Sequence, residues 1–231
     1  MTNQDNHHKT YHKIRKMVGW LGILLPIALI ALSKIPFFET KPQNSISHFY
    51  FTNLRELFTG ALSAVALFLI RYEGFKGDRF WKNDNLMTNI AGAMALGVAI
   101  FPTHPDVCAD KVDSLIPICE KWLGWVHYGF AAILFLIMAH LSINIFTLTE
   151  PNKSRNTSFV FHENHIYKTC GYAILLFILL IILFSTIWND KWPSSTFYLE
   201  AASLLAFGIS WLIKGRGLLW ESSKFNEKMY S

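Results

Sequence analysis

The chain is organised by six long apolar runs that are almost free of charge, and this pattern limits what it can fold into. A bilayer's hydrocarbon is about 30 Å thick, so a helix rising 1.5 Å per residue needs roughly 20 residues to cross it. Lipid offers no hydrogen bonds to an open backbone, which makes the helix the fitting element for such runs. The first run extends from Val18 to Phe38, uncharged until Lys34, with Pro26 near its middle as an expected kink. The second is centred on Leu57 to Ile70 and the third on Asn85 to Thr103. The fourth lies within Trp122 to Thr149, the fifth within Thr169 to Trp188, and the sixth ends at Ile213. A basic segment before the first run also suits a signal peptide, but the apolar part is long and no clear A-x-A site follows, so a retained span is expected. The expected class is an all-α integral membrane protein, a single bundle of six transmembrane helices over residues 18–213. It would be flanked by a basic segment at 1–17 and a tail at 214–231, with an outer loop at 104–121.

Composition agrees with this class. Charged residues make up 16% of the chain, well below the quarter usual in soluble proteins. Aromatic residues at 15% exclude a disordered chain, and three cysteines are too few for a disulfide scaffold.

Charge placement orients the spans. Fifteen of the 21 lysines and arginines fall before the first run, between the second and third, between the fourth and fifth, and after the sixth. Lys34, Lys41, Arg55, Lys111, Lys121 and Lys191 fall on the other side. Cytoplasmic loops carry the excess of positive charge, so both termini are expected in the cytoplasm. The net charge of +5 then follows from topology and suits anionic headgroups, and no nucleic-acid partner is needed to account for it. Tryptophans agree, since Trp20, Trp211 and Trp220 lie near inner ends and Trp122, Trp125, Trp188 and Trp192 near outer ends. Cys108 and Cys119 share the outer loop and are expected to form a disulfide, whereas Cys170 begins the fifth span on the inner side.

Two spans are too short without charged residues. Only 13 uncharged residues lie between Glu200 and Lys214, so a ~20-residue span draws Glu200 about 9 Å inside the outer boundary. Only 14 separate Glu56 from Arg71, which draws Arg55 and Glu56 into the outer third. Intramembrane charge is costly and marks function by default, and Arg55 is the natural partner for Glu200 or Glu56. His48, His104, Asp106 and His127 fall at the same level, with Tyr50 and Asn53 as additions. Together they outline an extracytoplasmic polar pocket for a lipid headgroup, an ion or a small polar substrate, with a structural ion pair and wetted histidines as the plainer reading. His48, His104 and His127 could also hold zinc and activate a water. Ser47 beside His48 suggests nucleophilic chemistry, but adjacency along the chain is not the required geometry.

Other signals are weaker. His140 and Asn144 lie one turn apart near mid-span, where a proton path and simple interhelical hydrogen bonding compete, the second being favoured. Ala91, Ala95 and Ala99 form a small-residue face, with Ala93 and Gly97 beside them, suited to a central helix or to a homo-oligomer seam. His162-Glu163-Asn164-His165 has metal-like residues but falls in an expected cytoplasmic loop without the H-E-x-x-H spacing.

Several short elements stand out: Ile46-Ser47, Asn89 with the Gly/Ala-rich span ending Phe101-Pro102-Thr103, Val126-His127 followed by Ala131, and Glu200. In these the chain resembles the six-span superfamily of the damage-regulated autophagy modulators, the glycosylphosphatidylinositol-anchor remodelling protein and bacterial relatives. The resemblance implies a six-helix bundle with cytosolic ends, association with membrane-lipid handling, and, from the bacterial relatives, a multi-pass place in the inner membrane. It implies no defined reaction. The superfamily of alkaline ceramidases and adiponectin-type receptors is similar in polar chemistry, but its late His-x-x-x-His is missing and no histidine follows His165. The expected activity is therefore the binding or handling of a lipid headgroup through Arg55, Glu56, Glu200, His127, His48 and His104, without a cofactor and without conventional catalysis. A zinc-dependent lipid hydrolase is the alternative, and a channel or transporter the third reading.

Overall fold

A computed structural model describes residues 3–74, 77, 79–104, 116, 120–148, 157–187, 192 and 194–215. All regular structure among them is helical. The six long helices are α1 (Asn3–Leu32), α2 (Arg55–Arg71), α3 (Asp84–Ile100), α4 (Lys121–His140), α5 (Thr157–Ile187) and α6 (Ser195–Lys214). Short 3-10 turns at Pro36–Phe38, Ser47–Phe51 and Phe80–Lys82 shape the connections, and a π-turn at Leu141–Ile145 prolongs α4.

Four helices are long and apolar enough to cross a membrane, over Lys13–Leu32, Trp122–Ile145, Glu163–Ile187 and Ser195–Lys214. At 17 residues each, α2 and α3 reach only about 26 Å. The outer surface is apolar on several helices, exposing Leu24 and Ile27 on α1, Leu67 on α2, Ile133 and Leu136 on α4, and Leu176, Leu179 and Ile182 on α5. A soluble monomer rarely shows so much contiguous apolar surface, whereas a bundle in lipid requires it.

Each helix packs against the next in chain order, and α6 closes the ring on α1. Side-chain contacts sort the helix ends into two groups. Arg15 of α1 meets Tyr72 just after α2, Tyr72 meets Asp84 at the start of α3, and Lys214 at the end of α6 meets Phe146 after α4. At the other end, residues 44–51 between α1 and α2 touch the start of α6, the end of α3 and the start of α4. Consecutive helices therefore alternate in direction.

Local sequence accounts for the boundaries. The Asn83 side chain caps α3 by accepting from the Leu86 amide at 3.1 Å, and Pro102 follows its end. This stops α3 at Ile100, short of the expected Thr103. Helix α1 runs unbroken through Pro26 and starts before the expected Val18, so the basic segment forms part of the helix. Helix α5 likewise begins at Thr157, which places His162, Glu163 and His165 on a helix rather than in the expected loop. No proline or glycine interrupts residues 157–170, so nothing local stops the helix there. The outer-loop cysteines Cys108 and Cys119, with Asp106, lie outside the described residues.

Small residues set the closest approaches. The buried face of α3 carries Ala91, Ala95 and Ala99, and a Cβ on Gly92 would lie 2.8 Å from the Ala66 carbonyl oxygen of α2. The chain's own helices cover this face, while Ala93 is exposed. Where α1 crosses α6, a Cβ on Gly208 would lie 2.6 Å from the Gly19 carbonyl oxygen, so backbone meets backbone. Gly208→Ala should therefore lower the thermal midpoint in mild detergent, by an overpacking cost of about 1–3 kcal/mol. Gly60→Ala, at an exposed site with nothing within 4 Å of the added atom, should leave the midpoint unchanged or raise it.

Candidate functional site

Residues 44–51 form the hub of the site, because their polar groups tie three helices together. The first tie is to α6, whose opening turn lacks internal partners for its amides. The Asn44 carbonyl accepts from the Phe197 amide at 2.8 Å, and the Ile46 amide donates to Glu200 Oε2 at 2.6 Å. Glu200 thus spends its carboxylate on a backbone amide, and no ion pair with Arg55 forms. Of the two expected partners of Arg55, Glu200 and Glu56, Glu200 is instead engaged by Ile46, which supplies the donor that the carboxylate needs.

The end of α3 supplies the second tie. Its last carbonyls have no helical partners once Pro102 has stopped the helix. Tyr50 donates its hydroxyl to the Ile100 carbonyl at 3.3 Å, and His127 Nδ1 donates to the Phe101 carbonyl at 2.7 Å. Arg55 stacks on the Tyr50 ring, 4.5 Å from its centroid, and donates to the same hydroxyl at 3.2 Å. Arg55 is half-buried and Glu56 is exposed beside it. Asn53 donates instead to the Phe38 carbonyl at 3.1 Å.

The third tie reaches α4. His127 is buried, and its Nε2 lies 2.9 Å from Ser47 Oγ. Chemistry assigns the protons, since a carbonyl can only accept. The neutral ring must carry its hydrogen on Nδ1 toward Phe101, which leaves Nε2 as the acceptor for the Ser47 hydroxyl. Ser47 therefore faces His127 across space while His48, its neighbour in sequence, points elsewhere. His48 Nε2 donates to the His104 carbonyl at 3.1 Å, and its Nδ1 is buried with no partner among the described residues. The His104 ring sits against Gly124 and 6.4 Å from the Tyr128 ring. His48, His104 and His127 are thus neighbours at one end of the bundle, but among the described residues no three metal-ligating side chains converge on one point.

An aromatic ledge borders this cluster. Trp122, Trp125 and Tyr128 are exposed along the same end of α4, and Tyr128 also stands edge-on to His127 at 6.0 Å. Rings of this kind favour the level where lipid meets water.

The opposite end holds a second polar network that charge counting overlooked. Arg15 Nε donates to Tyr72 Oη at 3.0 Å, and Tyr72 Oη donates to Asp84 Oδ2 at 2.8 Å, all three residues being buried. Lys214 donates to the Phe146 carbonyl at 3.0 Å and lies over the Phe146 and Tyr167 rings. Trp211 packs edge-on against Tyr72 and Phe146, its indole nitrogen buried without a partner among the described residues. Burial of Tyr72 pushes its pKa above the ordinary phenol value, with Asp84 adding to the shift and Arg15 opposing it. His140 belongs near this end rather than at mid-span: its Nε2 donates to the Trp81 carbonyl at 2.7 Å, and its Nδ1 accepts from Asn144 at 3.1 Å.

No protein-family model, curated protein or solved structure matches the chain.

Tyr72→Phe should remove the hydroxyl shared by Arg15 and Asp84 and cost about 1–3 kcal/mol, read from unfolding midpoints in detergent. Because the folded phenol holds its proton longer than the unfolded one, wild-type stability should also begin to fall as the pH passes about 10. The Phe variant should lack that part of the alkaline loss.

Proposed function

We propose that the protein is a six-span membrane protein, with both termini in the cytoplasm, that binds the polar head of a membrane lipid at its extracytoplasmic end. The observation that carries this reading is the position of Arg55, whose guanidinium is held on Tyr50 at the rim of the residue 44–51 hub. A guanidinium keeps its charge at any physiological pH and presents a planar fork of donors suited to a phosphate group. Glu200 acts one step behind it, fixing the hub through Ile46.

Charge supports the topology. The network end gathers Arg15, Arg71, Lys82 and Lys214, in keeping with a cytoplasmic face, and the hub end carries the exposed Trp122 and Trp125. Helices α2 and α3 span by drawing on their flanking turns, with the 3-10 turn at Ser47–Phe51 extending the first. His127 and His48 support the site from behind, holding the residue 44–51 hub through Ser47 and the His104 carbonyl.

The test is lipid analysis of the full chain purified in mild detergent. Wild-type protein should retain anionic phospholipid at several times the level found on an unrelated membrane protein of similar size, and Arg55→Gln should bring that level to background while remaining folded. Equal lipid content in the two forms would remove Arg55 from the reading.

A further inference from the structure

The contact between Ser47 and His127 has the form of a nucleophile with its base. Three features make it more than a hydrogen bond between helices. First, the direction of the bond is fixed: the Phe101 carbonyl holds the Nδ1 proton at 2.7 Å, so the Nε2 lone pair faces Ser47 Oγ at 2.9 Å. Second, the group behind the imidazole is the carbonyl at the end of α3, where the helix presents partial negative charge, as a transient imidazolium requires. Third, access is divided as the chemistry needs: His127 is buried and held, while Ser47 on the 3-10 turn is only half-buried.

We propose that Ser47 is a catalytic nucleophile, activated by His127, that takes the acyl group from a carboxylic ester of a membrane lipid. The substrate class rests on the lipid-binding reading above. In the first step Ser47 Oγ bonds to the ester carbonyl carbon as its proton passes to His127 Nε2. The bond to the leaving alcohol then breaks, and that alcohol departs with the proton from Nε2, leaving an acyl-serine. Water from the interface attacks the acyl-serine with His127 again taking a proton, and the fatty acid leaves as Ser47 recovers its own. A second alcohol in place of water gives acyl transfer by the same steps. Ile46, held by Glu200, and His48, held by the His104 carbonyl, flank Ser47 and fix its angle of presentation, so Glu200 is a positioning residue for this chemistry.

The experiment treats the full chain in mild detergent with a long-chain alkyl fluorophosphonate and locates the adduct by peptide mass spectrometry. Ser47 should be phosphonylated, the other serines should not, and Ser47→Ala should abolish the adduct. Because His127 joins three elements, replacing it can cost folding, so a second measurement uses Ser47→Cys. Alkylation of the introduced thiol by iodoacetamide should level off below pH 7, as for a thiolate paired with an imidazole, instead of rising through the ordinary thiol range near 8.5. An alkylation rate in this variant that follows the free-thiol profile would overturn the pairing. The two readings fail separately. Protein that retains anionic lipid but leaves Ser47 unmodified overturns the nucleophile and spares the lipid site. Protein that modifies Ser47 but enriches no lipid supports the nucleophile and overturns the lipid ester as its substrate.

Discussion

The structure depends on the rule that a polar group removed from water must find its partner within the chain. Residues 44–51 obey it in an economical way. They leave the helical path close to the bundle, and their amides, carbonyls and side chains meet the groups that two helix ends leave unpaired and a side chain from a third helix. The start of α6 receives Asn44 and offers Glu200, the end of α3 receives Tyr50 and His127, and α4 supplies the histidine that reaches back to Ser47. Helix termini are thereby capped and a loop is immobilised by the same bonds. A site built this way is stiff without lying on a helix, because each of its chemical groups already has a structural duty.

The opposite end solves the same problem with charge. Arg15, Tyr72 and Asp84 form a buried chain of donor and acceptor that joins α1, the end of α2 and the start of α3. Replacing such a network wholesale by apolar residues is often neutral, but deleting one member leaves another stranded, so its value lies in fixing register rather than in adding net stability. Trp211 shares this role by packing against both Tyr72 and Phe146, which holds α6 at the same level. Lys214 and Arg15 thus carry positive charge to this end of the bundle and also bind the helix ends together.

Which features the sequence disclosed follows from the range of the forces involved. Charges at Glu56 and Arg71 bracket α2 closely and Lys214 marks the end of α6, because the cost of charge in an apolar run is local. Glu200 stood out for the same reason, but its partner did not, since the Ile46 amide is a backbone group and any residue there would have donated. Ser47 was read beside His48, its neighbour, whereas His127 lies 80 residues away and is brought in by the fold. Two signals in the sequence bear on this contact: Pro102 frees carbonyls at the end of α3, and His127 sits within two turns of the start of α4, where it can reach them. Arg15 and Lys214 read as loop charges in the sequence, whereas Arg15 is buried and Lys214 half-buried where α1 packs on α6 through Gly19 and Gly208, a packing fact that pattern alone does not carry. The extension of α5 back to Thr157 was missed because apolar runs mark where lipid ends, not where a helix does.

Helix length bears on what the hub could meet in a membrane. Helix α3 is about 26 Å long against about 30 Å of hydrocarbon, while α4 with its π-turn is longer. On the topology proposed above, with the opposite ends of the bundle level, the carbonyls of Ile100 and Phe101 would fall a few ångströms short of the outer boundary, and Ser47 and His127 with them. On the lipid reading proposed above, that depth matches the ester groups of a glycerolipid, just beneath the phosphate, and Arg55, at the rim beside Tyr50, would meet the phosphate. The exposed Trp122, Trp125 and Tyr128 flank the same level and offer an apolar bed to the chains below it. A short helix is thus a way to recess a polar site without opening the bundle, since stopping α3 early both lowers the site and frees the carbonyls that orient it.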